Sequence, residues 1–533
     1  MTPTTSKPIR KRPAERSAAS PPSVSARARV GWLLRVNRTL GTRSPQRSLH
    51  GFARNFAPDQ RIAPSTLSRW ETGKAAIPHW VPARYETALS LPPMLLSAAA
   101  DTSYRYHTPP SVLIPNWAQR RRPPVPGPGL DRLVDRAVGD DTMTAGDWDR
   151  LIELIARRPQ LVLSPATTWS RLTERLLTEL SIADGVQWMV RAESYHRLIA
   201  HPDGQQPAIS TATAAADDNS AQSMIGHLSV FTASSHPAAS TSVVRHVTDP
   251  ATIRTFYGAL LTSVKKLRYG HFSQVQVRSL IPVLLELLSG NQEEAGLAAR
   301  MFAALPGDLR AQLPRRIRTA TGLAAAATAD ESVIRLCDGV LSTAAGEDPL
   351  PADPVLPVLV HEMLADPVFD VRLCAMFLLY GSPYRPHLAE ALATELITLL
   401  RRRTERLRTL RILESLRVLG GPPQRALVER LLLARDMPAE IHDMAAYTLG
   451  HIGGRSTVTF YRTAFSRYSN DRVRGSAASD ASVLDRLIYA FGIHHNDELL
   501  RTAAANQALP GNVRTAAAWW LGLPPHLRHS ATL

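Results

Sequence analysis

Apolar residues recur along most of the chain at the three- and four-residue spacing of amphipathic helices, not at the alternating spacing of strands. Residues 151–155, 172–180 and 284–288 illustrate this spacing in the longer C-terminal part. Strand patterns are scarce. The sequence therefore predicts an all-α protein.

Interruptions of the helical pattern divide the chain. Residues 1–26 are rich in Thr, Ser, Pro, Lys and Arg, which predicts a disordered basic tail. Residues 27–106 regain helical spacing and predict a small domain. Seven prolines within residues 107–129 exclude a regular helix and predict a semi-rigid linker. The polar stretch at 201–223 predicts a long loop.

A phrase in the C-terminal part repeats about every 32–40 residues. A turn residue precedes a helix, and a Val-Arg-like pair, small residues and leucines follow. Such a period is typical of stacked two-helix repeats and resembles HEAT repeats. We therefore predict a HEAT-like α-solenoid over residues 250–533; the helical region 130–249 is either its start or separate from it. The alternative is an irregular helical bundle with a fortuitous period. The basic position of the phrase lies at Arg372, His442 and Arg514 in three clear copies, and at Arg254, Arg335, Arg408 and Arg474 in fainter ones.

Composition narrows the class of protein. At about 150 residues per domain, 533 residues allow two to four domains. The two cysteines, Cys337 and Cys374, are too few for a disulfide scaffold or a four-cysteine zinc module. We interpret them as small buried hydrophobes of a reduced, cytoplasmic protein.

No apolar stretch approaches the ~18 residues of a membrane span, and the basic N terminus lacks the apolar block of a secretory signal.

Positive charge is concentrated at the N terminus. The formal net charge is +16, and residues 1–84 contain 16 Lys and Arg against three acidic residues, which leaves +3 for the remainder. Heavy arginine use could reflect genomic base composition, but that bias would act on the whole chain. The asymmetry therefore favours a local module that binds a polyanion such as nucleic acid over a merely solvated basic surface.

The most specific motif lies within residues 64–78. A proline and hydroxyl residues begin a short predicted helix, and Gly73 suits its C-terminal end. Leu67 and Trp70 share one face, which leaves Ser65, Ser68 and Arg69 away from it. A short helix with an exposed arginine and hydroxyls, in a basic unit, can enter the major groove of DNA. A plain capped helix with its Trp in the core is the alternative.

This motif resembles the recognition helix of the phage repressor and Cro-like (XRE) helix-turn-helix family. The family pattern is matched from Thr66 and Leu67 through Trp70 and Glu71 to Gly73, Lys74 and Pro78. Residues 49–56 resemble the preceding helix, 30–40 the opening helix and 85–89 a closing helix. The resemblance covers about 70 residues and implies a DNA-binding domain.

The resemblance also assigns roles to residues. Pro64, Ser65 and Arg69 occupy positions that face bases, Lys74 lies in the loop that meets phosphate, and Glu71 is a structural acid. Two features depart from the family: the turn after Phe56 is longer, and Leu49 replaces the usual Gln, so that Gln46 or Arg47 would make its phosphate contact. The basic tail at 10–13 is either a minor-groove arm or flexible charge. The candidate DNA contacts are Arg47, Arg61, Pro64, Ser65, Thr66, Ser68, Arg69 and Lys74.

Signatures of catalysis are missing from the sequence. Gly73-Lys74 lacks the upstream glycine of a phosphate loop, and His361-Glu362 lacks the second His of a zinc-protease motif. The adjacent His494 and His495 point to different sides of a helix and suit a metal poorly. We therefore expect neither an enzyme nor a cofactor.

These features together predict a bacterial transcriptional regulator of the XRE type, cytoplasmic and associated with the nucleoid. Its partner is double-stranded DNA, and we expect a homodimer because specificity generally needs two recognition helices. The solenoid would mediate dimerisation, bind a peptide or protein effector, or both, and no membrane partner is expected. The alternative is an interaction scaffold whose small domain tethers the chain to DNA without sequence preference.

Overall fold

The computed structural model describes residues 24–41, 48–56, 62–113, 128–218, 222, 224–312, 331–345, 353–471 and 477–533. Within these ranges the chain forms 28 α-helices and one short 3-10 helix at Val230–Ala233, and no strand. The expectation of an all-α protein is confirmed. None of the described helices is both long and apolar enough to cross a membrane. We number the α-helices α1 to α28 in chain order.

The first five helices form the N-terminal helical unit (residues 24–113). Its first helix begins at a hydroxyl cap, because the Ser25 side chain accepts a hydrogen bond from the Ala28 amide at 3.3 Å. In this unit α1 contacts α3 and α5, α2 contacts α3 and α4, and α4 contacts α5. The bounds are Ala26–Leu40 for α1, Leu49–Phe56 for α2, Pro64–Glu71 for α3, Trp80–Ala88 for α4 and Leu95–His107 for α5.

Helices α6 to α16 form the middle helical region (residues 128–312), which has its own hydrophobic core. In this region α9 packs on α7 and α8, α10 on α8, and α13 on α11 and α12. The bounds of α6 to α16 are Leu130–Val138, Ala145–Ala156, Thr167–Ile182, Gly185–Leu198, Pro202–Asp217, Met224–Ser229, Pro237–Thr248, Ile253–Arg268, Gln274–Leu287, Gln292–Ala303 and Gly307–Gln312.

Helix α10 covers most of residues 201–223, where the sequence predicted a long loop, and that prediction is wrong. Pro202 occupies the first helical position, where its missing N–H costs little. The His201 ring accepts hydrogen bonds from two backbone amides of the first turn at 3.2 and 3.3 Å. Ala208, Ala212 and Ala216 recur at four-residue spacing and are fully buried. Proline and small residues therefore start and bury a helix here instead of breaking one.

Helices α17 to α28 form the C-terminal helical region (residues 331–533). Five successive pairs occur, from α18 and α19 to α26 and α27, and the two helices of each pair pack together. The second helix of each pair also packs on the second helix of the next pair. The bounds of α17 to α28 are Glu331–Ala345, Leu356–Ala365, Phe369–Tyr380, Arg385–Arg402, Arg406–Leu419, Pro422–Leu433, Ala439–Leu449, Val458–Asp471, Ala477–Ile493, Asp497–Ala505, Gly511–Gly522 and Pro525–Ser530.

Four of the seven recurrent basic positions fall on equivalent helices. These four lie near the start of the second helix of a pair: Arg372, Arg408, His442 and Arg514 lie in α19, α21, α23 and α27, respectively. Two more lie in other helices, Arg335 in α17 and Arg254 in α13. The seventh position, residue 474, lies outside the described residues.

Arg372 shows the contacts that one of these positions makes. Its buried guanidinium donates to both carboxylate oxygens of Glu414 on α21, at 2.6 and 3.1 Å. Burial alone would raise the pKa of Glu414, but the Arg372 charge lowers it to about 2. The ion pair therefore links the second helices of two successive pairs.

The N-terminal helical unit packs directly on the rest of the protein. Helix α5 contacts α9 and α19, and α1 contacts α19. The indole N–H of Trp32 donates to Asp353 at 2.7 Å, and Arg29 donates to both oxygens of Glu362 at 2.6 Å. One hydrophobic core runs from α1 through α5 into the C-terminal helical region. Of the Pro-rich stretch expected at 107–129, residues 114–127 lie outside the described part of the chain.

The end of the chain returns to the middle helical region. Helix α28 packs on α8, and the Ala145 amide donates to the Leu533 carbonyl at 3.2 Å. The first core spans residues 32–99 and 333–531, with Ile182 and Ala183 at the end of α8. The second spans 113–309 with Val368. Helices α6 to α12, which include the region 130–249, therefore pack with α13 to α16 in one core.

Candidate nucleic-acid interface

Helix α3 has one buried side and one exposed side. Leu67, Trp70 and Glu71 are buried, at 0%, 6% and 4% exposure, against α1 and α2. Ser65 and Arg69 are exposed on the other side. This separation follows from the helical period, since Leu67 and Trp70 are three residues apart. The outer side is therefore available to a partner.

The remaining candidates on this segment border that outer side. Pro64, Thr66 and Ser68 are half-buried on α3, and Lys74 is exposed in the turn that follows. Six of the eight sequence candidates thus lie on one continuous segment. The other two, Arg47 and Arg61, lie outside the described residues, as does the basic tail at 10–13.

The ends of α3 are fixed by backbone requirements. Pro64 occupies the first helical position, and the chain leaves the helix through Gly73, which has a φ of +67°. A Cβ on Gly73 would lie 2.8 Å from the Cα of Ala28 in α1. On the facing helix, a Cβ on Gly31 would collide with the Trp70 carbonyl oxygen. The two glycines therefore let α1 and α3 approach closely and fix the place of the outer side.

Glu71 holds this arrangement from inside. Its carboxylate accepts hydrogen bonds from Arg38 Nε at 2.6 Å, Arg38 Nη2 at 2.7 Å and the Tyr85 hydroxyl at 2.8 Å. Burial opposes the charge of Arg38, but the bonds to Glu71 raise its pKa. Burial and the Glu71 charge also raise the pKa of Tyr85, so its hydroxyl remains a donor. Glu71 thus joins α3 to α1 and α4 and is not available to DNA.

An aromatic cluster orients α2 and α4 around α3. Phe56 lies at the centre, with ring centroids 5.4 Å from Phe52, 5.1 Å from Tyr85, 6.0 Å from Trp80 and 6.4 Å from Trp70. Aromatic pairs at such distances stabilise beyond the area that they bury. The cluster therefore fixes α3 relative to its neighbours, although residues 57–61 between α2 and α3 are not described.

The described surface of the N-terminal helical unit has no exposed carboxylate. Glu71 and Glu86 are buried, and Asp101 is half-buried with its carboxylate 3.5 Å from His79. Exposed cations of the same unit are Arg27, Arg54, Arg69 and Lys74. An excess of uncompensated positive charge of this kind attracts phosphate.

Sequence reasoning missed Arg54 on α2. The signal was present, because Phe52 and Phe56 at four-residue spacing mark the buried side of α2. Arg54 lies between them and therefore on the opposite side, where it is exposed. It is a further candidate for a phosphate contact.

No protein-family model matches the sequence. No significantly similar curated protein was found either. The resemblance to the XRE family therefore depends on the residues described above.

Several of the other residues considered for chemistry have structural roles. Glu362 of the His361-Glu362 pair binds Arg29. The His494 ring is 3.2 Å from the Leu449 carbonyl oxygen, and burial lowers the pKa of His494 to about 4. Cys337 and Cys374 are buried, and burial raises the pKa of each thiol to about 12. Among the described residues, no cluster of three His, Cys, Asp or Glu side chains suits a metal ion.

Proposed function

We propose that this chain is a sequence-specific DNA-binding transcriptional regulator of the XRE helix-turn-helix type, acting on chromosomal DNA in a bacterial cytoplasm. The observation that carries the proposal is the outer side of α3. It combines an exposed arginine with hydroxyl groups in a unit whose described surface has no exposed carboxylate. This is the chemistry that reads base edges within the field of DNA phosphates.

The roles of the residues follow from their chemistry. The Arg69 guanidinium offers two parallel donors, which suit the O6 and N7 acceptors of guanine in the major groove. Ser65 offers a hydroxyl that either donates or accepts, and Pro64, Thr66 and Ser68 border the same side. Lys74, beyond the end of the helix, is a point charge suited to a phosphate. Arg47 and Arg61 would add phosphate contacts.

The C-terminal helical region is, in this proposal, a HEAT-like α-solenoid. The successive packing of second helices, from α19 to α27, supports that assignment. It would mediate homodimerisation, so that two copies of α3 reach neighbouring half-sites, or bind an effector, or both. The N-terminal helical unit packs on this region, which gives an effector a direct route to the DNA-binding helices.

The test is selection of bound fragments from a random double-stranded DNA pool, with wild-type protein beside the Arg69→Ala and Lys74→Ala variants. We expect the wild type to recover a motif, and a two-fold symmetric motif would indicate a dimer. Arg69→Ala should lose the motif but keep weak binding, because phosphate contacts remain. Lys74→Ala should recover the same motif with lower affinity.

Equal recovery of all fragments by the wild type would contradict sequence-specific regulation. It would instead support the scaffold alternative, in which the helical regions bind proteins and α3 only tethers the chain to DNA. An unchanged motif with Arg69→Ala would remove that residue from the reading side.

A further inference from the structure

The middle and C-terminal helical regions enclose a cavity of about 290 Å³ between them, which we call the interhelical cavity. One wall is formed by the second helices α19, α21, α23 and α25. The opposite wall is formed by α9 and α11, with Arg254 at the start of α13. Helices α9 and α11 thus cover the side of the C-terminal helical region that the second helices form. The space left between the two walls, among the described residues, has the size of a small molecule.

Arg417, on α21, is the most unusual group in the cavity wall. It is 93% buried, since its relative exposure is 7%. One terminal nitrogen, Nη1, donates to the Tyr447 hydroxyl at 3.0 Å, but Nε and Nη2 are buried and have no acceptor. Buried donors without acceptors are costly, and a guanidinium does not lose its proton to avoid the cost.

The geometry of the two open donors indicates what would satisfy them. Nε and Nη2 lie on the same edge of a guanidinium, where their two N–H groups are parallel. Such an edge matches two oxygens of one carboxylate or phosphate. An anion bound in the cavity would therefore complete the hydrogen bonds of Arg417.

Aromatic rings make up much of the rest of the wall. The Tyr447 ring lies between two guanidinium groups, with Arg417 at 4.7 Å and Arg486 at 4.4 Å from its centroid. On the opposite wall Trp188 faces Phe377 of α19, with centroids 5.7 Å apart. Rings and guanidinium planes stack well on flat, conjugated groups.

The carboxylates of the wall are largely occupied. Asp184 is 2.7 Å from the His451 ring, and Asp485 is paired with Arg254. The third carboxylate, Asp370, is half-buried, and burial raises its pKa. The Arg417 charge also acts on Asp184 and Glu414, but its Nε and Nη2 donors remain open.

We propose that the interhelical cavity binds a small organic anion in which a planar ring carries a carboxylate or a phosphate. The ring would lie among the aromatic side chains, and the anionic group would receive the Nε and Nη2 donors of Arg417. That such a ligand acts as an effector rests on the proposed function. Its route would be short, because Phe377 of the wall packs in one cluster with Ala98 of α5.

The test measures thermal shift and calorimetric affinity of the full-length protein with matched probes. Adenosine monophosphate and 4-hydroxybenzoate combine a ring with an anion. Adenosine and 4-hydroxybenzamide lack the charge, and inorganic phosphate lacks the ring. We expect at least one ring–anion probe to raise the melting temperature and to bind at least ten-fold more tightly than its neutral counterpart and than phosphate.

Arg417→Gln should abolish this binding, whereas Arg430→Gln should leave it unchanged, since Arg430 is exposed on α22 outside the cavity. Arg417→Gln also loses the hydrogen bond to the Tyr447 hydroxyl, so the ligand-induced shift of each variant is measured against its own melting temperature without ligand. No shift with either ring–anion probe, equal binding of the neutral probes, or binding that survives Arg417→Gln would overturn the proposal. None of these readouts involves DNA, so failure of DNA binding would leave the cavity proposal standing.

Discussion

Arg69 and Lys74 are both exposed cations, but they offer different chemistry to DNA. The planar arginine fork discriminates among base edges, whereas a lysine ammonium interacts with any phosphate. Their places differ accordingly, since Arg69 lies on the outer side of α3 and Lys74 in the turn after it. In the proposed function, the two positions therefore separate sequence preference from general affinity.

We predict that Lys74→Ala lowers DNA affinity for all sequences. Without this phosphate contact, binding releases about one counterion fewer from the DNA. The slope of log K against log salt concentration should therefore flatten by about 0.9. Binding isotherms at four or more salt concentrations measure this slope. A slope equal to that of the wild type would show that Lys74 does not touch phosphate.

The second prediction concerns the contribution of Glu71 to stability. Glu71→Gln removes the charge that faces the buried Arg38 guanidinium and should lower the free energy of unfolding by about 3 kcal/mol. Tyr85→Phe removes one hydrogen bond to the same carboxylate and should cost about 1 kcal/mol. Chemical denaturation gives both values, and a reversed order would contradict the central role of the ion pair.

Two adjacent buried lysines make stability depend on pH. Burial, with Arg105 nearby, lowers the pKa of Lys265 to about 7, and burial lowers the pKa of Lys266 to about 7, from 10.5. Above pH 7 the unfolded chain therefore binds more protons than the folded chain, and the free energy of unfolding rises with pH. Each unit of difference between the folded and unfolded pKa changes the free energy of unfolding by about 1.4 kcal/mol. This contribution to stability is lost as pH falls towards 7.

We predict that stability against urea rises between pH 6.5 and 8.5 and that the rise shrinks in a Lys265→Met, Lys266→Met double variant. The Lys7→Met change, in the basic tail, serves as the control. A slope that persists unchanged in the double variant would assign the effect to other groups.

At the residue scale, local spacing predicted which side chains of α3 face outward, because Leu67 and Trp70 mark the buried side. It could not predict the partners of buried charges. Glu71 meets Arg38 from 33 residues away, and Arg29 meets Glu362 from 333 residues away. Such pairs depend on how helices pack, which the period of one helix does not encode.

At the element scale, the crossing of α1 and α3 depends on two glycines. A Cβ on Gly31 would collide with the backbone of α3, which no side-chain rotation relieves. Helices that pack closely, and so have fixed orientations, often approach each other through such small residues. Gly339, in the middle of α17, is a useful contrast, because it is exposed and a Cβ there would meet nothing within 4 Å.

We predict opposite effects for the same substitution at these two sites. Gly31→Ala should lower the free energy of unfolding by about 2 kcal/mol or more, because it overpacks the crossing. Gly339→Ala should raise it by up to about 1 kcal/mol, because alanine favours the helix. Calorimetry and DNA binding of both variants provide the comparison, and a neutral Gly31→Ala would show that α1 and α3 separate easily.

Helix type was predictable over most of the chain because apolar periodicity is local. The recurrent phrase also predicted positions that fall on successive second helices, such as Arg372 and His442. Helix α10 was missed because most of its buried residues are alanines, which give a weak apolar signal among polar neighbours. The interhelical cavity was beyond prediction, since Arg417 and Trp188 are brought together only by the packing of two regions.

At the scale of the whole molecule, the N-terminal helical unit shares a core with the C-terminal helical region. Trp32 is 1% exposed and stacks near Tyr384, with centroids 6.3 Å apart. Removing residues 1–106 would therefore expose apolar surface of α19, remove the Arg29 partner of Glu362 and remove the Trp32 donor to Asp353. Point variants on α3 test DNA binding more cleanly than such a truncation.

This shared core leads to a prediction about unfolding. The Arg29–Glu362 pair is largely buried, at 3% and 18% side-chain exposure, and Glu362→Gln should cost about 3 kcal/mol. Because the pair joins α1 to α18, hydrogen exchange should accelerate in both helices together. Glu331→Gln is the matched control, since its pair with Arg335 is exposed at 83% and 67% and should contribute less than about 1 kcal/mol. If exchange in Glu362→Gln instead accelerated in α1 to α5 while α18 and α19 kept wild-type protection, the N-terminal helical unit would open independently of the helices that line the cavity. An effector bound in the cavity would then have no structural influence on α3.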